Sequence, residues 1–282
     1  VSVTLSGRKE AQRLWASTVD QKTSYKYPYL AHCVLAISAL HLSETSHPSA
    51  AEALNHRAQA IYYQNTALSL LGPQLVNVNA ENCNALYASA VLVFLFTAAF
   101  PRPSDKSTLL DEIVEMSEIA KGVPAVLKGS PGDLSAGPLR AWFTFHHWES
   151  PNSLLPGHIS QSLRRMRESI DKFAVEDKRK IYISAVEKLK LALAAFAVNT
   201  FHPAFIFMWL AEVDRGFLDL VKSRDRIALY IFGHYGTCAL GIKDRWWART
   251  WGEDIVNAVQ RVFEGSDTQT RLAEQPRQFE AS

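Results

Sequence analysis

Two imidazole–carboxylate pairs are spaced for chemistry: His41 with Glu44, and His146 with Glu149, each at i and i+3. On a helix that spacing puts both groups on one face, where they could move protons or supply two ligands to a metal ion. A zinc centre needs more, because it draws three or four ligands together, commonly through a two-His helical motif or a CxxC turn. Cys33, Cys83 and Cys238 instead lie far apart inside apolar segments. The residues therefore imply no metal site and no cofactor. Gly129, Gly132 and Gly137 share a loop, but no strand precedes them and no Lys-Ser/Thr follows, as a phosphate-cradling loop would require. A GxSxG nucleophile elbow is also missing. If the chain were an enzyme acting on an apolar substrate, its acid–base candidates would be His41, Glu44, His146, Glu149 and His234.

Aromatic density carries more information than these polar pairs. Trp209 stands with Phe201, Phe205 and Phe207, Tyr230 with Phe232 and Tyr235, and Trp246, Trp247 and Trp251 follow. At helical spacing such residues build core first, and they can also line an apolar ligand cavity. The residues predicted to line one, as aromatic or small side chains on inward faces, are Phe94, Phe205, Trp209, Tyr235 and Cys238. Of 282 residues, 48% are hydrophobic and 21% charged, ample for a sizeable core. Thirty Lys and Arg against 28 Asp and Glu leave a formal charge of +2 with no dense basic run, which disfavours direct nucleic-acid binding by this stretch. Three scattered cysteines suit buried thiols in a reducing compartment, so nucleus and cytoplasm are the expected locations. Residues 1–10 carry no secretory pattern, and the missing initiator Met suggests a piece of a longer protein. Residues 85–100 are uncharged but short of the ~20 needed to span a membrane. The apolar run 191–211 is interrupted at 199–203, so both read as buried core helices and no membrane span is expected.

The elements that must position these groups are helical. Period-2 runs bounded by hairpin turns are absent, and Gly and Pro fall mostly between long segments of helical periodicity. The predicted fold is all-α, a bundle of roughly nine to eleven helices. One domain is expected over 1–264, with an exposed linker near 101–107 and a flexible tail over 265–282. A first helix near 9–20 precedes 28–43, which is apolar on nearly every side and so belongs in the middle of a core. Ser49 and Glu52 form a capping-box signature for the next helix. Leu54, Ala58, Ile61, Leu68 and Leu71 mark its predicted buried stripe, and Gly72-Pro73 its stop. Asn79 is the predicted N-cap of a helix running to Phe100, and another covers 108–120, followed by Gly/Pro punctuation over 121–138 and an aromatic segment over 139–148. Single-face periodicity then marks Ile159, Leu163, Met166, Ile170 and Phe173, and next Tyr182, Val186, Leu189, Leu193 and Phe196. Pro203 starts one helix with Ile206, Leu210, Val213, Phe217 and Leu220 inward, Ala228, Ile231, Tyr235, Cys238 and Ile242 mark another, and Trp251, Ile255, Ala258 and Val262 the last.

The run Tyr27-Pro28-Tyr29-Leu30-Ala31-His32-Cys33-Val34-Leu35-Ala36-Ile37-Ser38-Ala39-Leu40-His41-Leu42 resembles the hPFLxHxxLAxSAxHL block in the regulatory region of fungal zinc-cluster transcription factors. His56 with Ala60 resembles that family's His and small residue, and Lys121-Gly122-Val123 stands where the family has Arg-Gly-hydrophobic. Towards the other end, Trp209, Phe217, Ala228-Leu229, His234-Tyr235, Trp246-Trp247 and Trp251-Gly252 are similar to its W…F…AL…AhY…WW…GWG series, with Thr250 where a Gly often stands. The likeness runs over about residues 14–263, and the sterol-responsive regulators are the group it points to. It implies an all-helical ligand-binding and effector domain, often dimeric, which in the sterol-responsive members holds a sterol in an apolar pocket and thereby controls nuclear entry. The six-cysteine segment of that family is not among these residues. The expected function is a ligand-sensing regulatory domain for a sterol, terpenoid or polyketide-like metabolite, with an apolar small molecule and a second copy as partners. The alternative is a stand-alone cyclase or isomerase of secondary metabolism on the same scaffold.

Overall fold

The computed structural model describes residues 25–45, 49–101, 108–128, 155–198 and 204–264. Among the described residues there are ten α-helices, three short 3-10 turns and no strand, so the chain is all-α. Its contacts divide it into two compact units, Val1–Pro101 with Ile119–Trp148, and Arg102–Glu118 with Glu149–Ser282.

In the first unit, α1 (Pro28–Thr45) packs against α2 (Ala50–Leu71) and α3 (Cys83–Ala99). Leu30, Ala36, Ile37 and Leu40 are fully enclosed, as an apolar helix requires, yet Leu35 and Leu42 on its remaining edge are exposed. The capping box forms: Ser49 Oγ accepts from the Glu52 amide and the Glu52 carboxylate accepts from the Ser49 amide at 2.9 Å. The predicted buried stripe of α2 holds at Leu71 and is corrected at its other four positions. Ala60, Gln64, Ala67 and Leu71 are buried, whereas Leu54, Ala58, Ile61 and Leu68 are exposed. Small side chains at 60 and 67 let the backbone of α2 approach its neighbours closely, which the larger leucines would prevent. The helix stops at Leu71 and tightens into a 3-10 turn, Gly72–Val76, because Pro73 offers no backbone donor. The turn before α3 uses Asn82 as N-cap where the sequence suggested Asn79; the two side chains bond each other's backbone, with Asn79 Oδ1 accepting from the Asn82 amide and Asn82 Oδ1 from the Asn79 amide. α3 is enclosed on most sides, and among the described residues no helix is long and apolar enough to cross a membrane.

A longer helix than expected, α4 (Leu109–Lys128), contributes its residues through Glu118 to the second unit. There α5 (Gly157–Phe173) packs on α6 (Glu176–Val198), and α6 also meets α7 (Ala204–Glu212), α8 (Arg215–Lys222) and α9 (Arg226–Ala239). The last helix, α10 (Trp251–Glu264), lies along α9. The single helix expected from Pro203 through Leu220 is two. Asp214 breaks it with an extended backbone at φ −66° and ψ 146°, and its carboxylate is held by Ser184 Oγ at 2.6 Å and Lys188 Nζ at 2.7 Å on α6. The inward stripe survives the break, since Ile206, Leu210, Val213 and Phe217 are all buried.

Candidate functional site

The aromatic core of the second unit is built where α7, α8, α9 and α10 present rings to one another. Trp209 of α7 is fully buried, and its indole N–H donates to the Ala185 carbonyl of α6 at 2.9 Å. Its ring lies 4.5 Å from Tyr235, 5.6 Å from Phe217 and 6.0 Å from Phe232, centroid to centroid. Trp251 of α10 donates its indole N–H to the Tyr235 oxygen at 3.2 Å, and Phe207 sits 5.6 Å from Trp247 and 5.5 Å from Trp251. Such offset and tilted pairs add to area burial, and the bonded indoles avoid the cost of a stranded polar group. Burial holds the Tyr235 phenol well above its ordinary pKa, so it stays protonated.

Glycine makes this arrangement reachable. A Cβ at Gly236 would sit 2.5 Å from Ile255 Cγ2, and one at Gly252 would sit 2.6 Å from the Leu240 nitrogen and 2.8 Å from the Gly236 oxygen. The first turn of α10 therefore rests on the backbone at the end of α9.

Polar side chains are buried in this unit too, His234 together with Thr237 and Asp254. His234 of α9 is buried, and its Nδ1 lies 3.4 Å from Ser162 Oγ of α5. Its ring meets Tyr230 edge-on at 4.6 Å. Burial pushes its pKa down to about 4, so the imidazole is neutral near pH 7. A neutral imidazole beside a hydroxyl can donate or accept a hydrogen bond, but it is poorly matched to proton transfer at that pH.

The other predicted residues are placed as follows. Cys238 is half-buried on α9, and burial raises its thiol to about 12, which leaves it protonated. Phe94 belongs to the other unit, buried on α3. Phe205 lies in α7, its side chain outside the described residues. Glu44 is tied to Arg57 by an ion pair of 2.8 Å, and desolvation lowers the pKa of His41. His146 and Glu149 lie outside the described residues. Among the described residues no three His, Cys, Asp or Glu side chains converge as a metal site would need.

Sequence reasoning missed two features. The first is Asp225, which caps α9 by accepting from the Ile227 and Ala228 amides at 3.1 Å and also from Lys178 Nζ at 2.9 Å and Tyr182 Oη at 2.8 Å. Burial alone would raise its carboxyl, but those donors outweigh it and hold the pKa below the usual value. An Asp one residue before an apolar run is a readable cap signal; its partners on α6 are not. The second is a set of enclosed polar atoms in the first unit, Tyr29 Oη, His32 Nδ1, His56 Nδ1, Gln64 Oε1 and Asn84 Oδ1, that have no hydrogen-bond partner among the described residues. Tyr29, His32 and His56 fall in the stretches that resemble the family's regulatory region, but nothing in the sequence says that they are enclosed, and Gln64 and Asn84 carry no signal at all.

Comparison with known proteins gives a consistent result. Residues 11–118 match the family model described as fungal specific transcription factor domain. A Zn(2)-C6 fungal-type transcription factor of Gibberella zeae is 24% identical over 301 aligned positions, covering 96% of this chain and 57% of that protein. Sterol uptake control protein 2 of Candida albicans is 35% identical over 91 positions, covering 31% of this chain and 12% of that protein. The chain thus spans little more than half of one relative and a small part of the other. No solved structure matches it.

Proposed function

We propose, from the premise that residues 11–118 carry a fungal specific transcription factor domain within a helical regulatory region, that the chain senses an apolar metabolite and works in control of transcription. The ligand lodges among the helices of the second unit, against the rings of α7 and α9, with Trp209, Tyr235 and Cys238 as contacts. The observation that carries this reading is the contact of the buried, neutral His234 with Ser162 in a unit whose interior is mostly apolar and aromatic. Binding sites for hydrophobic molecules have that composition: mostly apolar walls with a small number of placed polar groups that fix orientation. An uncharged donor–acceptor pair suits a hydroxyl or carbonyl on a sterol, terpenoid or polyketide. The name of the Candida albicans relative, a control protein for sterol uptake, supports the sterol class as the first to try.

Such a ligand would regulate by favouring one packing of the helices over another, since only differential affinity shifts a conformational equilibrium. The matching working place is the nucleus, with a cytoplasmic pool that the ligand state controls.

The test is thermal unfolding and tryptophan fluorescence of the protein with a panel of sterols, terpenoids and polyketides. At least one class should raise the melting temperature at micromolar concentration, and His234→Leu should weaken hydroxylated ligands more than their deoxy analogues. A flat response across the panel, with no lipid co-purifying, overturns the reading.

A further inference from the structure

Arg167, Lys178, Arg179, Lys188 and Lys190 of α5 and α6 each stand beside an acidic side chain. Arg165 of α5 has no such partner among the described residues. It follows Ser162 by one turn, so the two side chains share a face of the helix. Ser162 meets His234 of α9 at 3.4 Å, and one turn before His234 stands Tyr230, whose ring touches the imidazole edge-on at 4.6 Å. Both α5 and α9 pack on α6. They run in opposite senses, because the last turn of α5 and the N-cap of α9 bond the same first turn of α6: Arg179 donates to the Asp171 carbonyl at 3.0 Å and Lys178 to the Asp225 carboxylate at 2.9 Å. With Ser162 opposite His234, that sense brings Arg165 to the level of Tyr230. Burial raises the Tyr230 phenol above its ordinary pKa, and the nearby charge of Arg165 offsets part of that rise.

We infer that this corner between α5 and α9 takes a carboxylate, so that the molecule sensed is an apolar acid, with its carboxylate on Arg165 and the Tyr230 hydroxyl and its hydrocarbon directed past Ser162 and His234 towards Tyr235 and Trp209. The inference rests on the ligand reading above and narrows it. A guanidinium with no acid of its own offers paired donors that match the two oxygens of a carboxylate. Tyr230 keeps its proton and donates as well. One guanidinium balances one negative charge, which suits a carboxylate and leaves a phosphate group, at nearly two charges, undermatched. The placement also fits a molecule with one wet and one dry end: Arg165 is exposed, Tyr230 and His234 are buried, and the next residue, Tyr235, stacks on the enclosed Trp209 at 4.5 Å. A ligand whose polar end is only a hydroxyl would use Ser162 and His234 and gain nothing from Arg165.

Tryptophan fluorescence titrations of the whole chain with palmitic acid, hexadecanol and methyl palmitate, and with abietic acid and its methyl ester, separate the charge from the hydrocarbon. Each acid should bind about tenfold or more tighter than its ester, and the gap should narrow as salt is added. Arg165→Gln should close the gap by weakening the acids alone, and Arg165→Lys should keep part of it. Tyr230→Phe should narrow it from the other side of the corner. Arg164→Gln removes an equal charge from an exposed position off the face shared with Ser162, and should leave the gap as it was. Unchanged melting of the unliganded variants shows that each is folded. Neutral ligands that bind as tightly as the acids, or a gap that survives Arg165→Gln, overturn this inference and leave the ligand reading standing. A chain that binds neither the acids nor any neutral member of the wider panel overturns both.

Discussion

Burial of its ionisable ring makes His234 a proton-linked weak point. Its folded pKa of about 4 lies below the ~6.5 of an exposed imidazole, so between those values the unfolded chain binds a proton that the folded chain refuses. The sign follows: stability from this residue is complete above about pH 6.5 and drains away as pH falls towards 4, by about 3 kcal/mol. His234→Leu should make the fall of the urea midpoint between pH 7 and pH 4.5 shallower than in the unsubstituted protein, with the remainder owed to other groups of lowered pKa such as His41. Arg224 offers a second residue-scale test. It holds the left-handed φ of 61°, the only positive φ on a non-glycine among the described residues, and it grips Asp111 with two bonds of 2.8 Å. Arg224→Ala loses the ion pair and keeps the strain, whereas Arg224→Gly loses the pair and relieves it. The glycine variant should therefore be the more stable of the two by about 1 kcal/mol in chemical denaturation. Neither residue announces its role in the sequence, because Asp111 is 113 positions from Arg224 and Ser162 is 72 from His234.

At the scale of elements, close helix contact depends on missing side chains. Gly252→Ala would press a methyl onto the backbone of Leu240 and Gly236, atoms that cannot rotate away, so a loss of about 1–3 kcal/mol is expected from overpacking. Gly72→Ala meets nothing within 4 Å and has an ordinary helical backbone at φ −49°, so it should stabilise by about 0.5 kcal/mol through the unfolded chain. Thermal melts of the two variants check the contrast. The existence of the helices was legible because periodicity and caps are local: Ser49 with Glu52 closes its box as read, and the stripes of α5, α6 and α9 turn largely inward. The choice of face on α2 was not legible in that way. Hydrophobicity favours Leu54, Ile61 and Leu68, but close packing favours Ala60 and Ala67, and proximity to neighbouring helices decided it. The break at Asp214 likewise depends on Ser184 and Lys188, which only the fold brings near.

For the whole molecule, the division into two compact units sets what a bound ligand can do. Trp209 and Tyr235, named from the sequence as pocket residues, meet at 4.5 Å in the second unit, whereas Phe94 belongs to the first. Aromatic richness made the first pair legible; chain position alone could not assign the third to its unit. A ligand that binds only the folded second unit stabilises it by the logarithm of its saturation, about 2.7 kcal/mol at a hundredfold excess over the dissociation constant. That corresponds to about a hundredfold slower exchange of those amides that open only when the unit unfolds. Hydrogen exchange read by mass spectrometry should then show added protection across α6, α9 and α10, and none across α1 to α3. Equal protection in both units would mean that they open together as one cooperative body, in keeping with α4 contributing residues to each. Protection confined to α1 to α3 would place the ligand in the first unit, where the enclosed Tyr29, His32, His56, Gln64 and Asn84 groups offer unsatisfied polar contacts, and would remove Ser162 and His234 from the site.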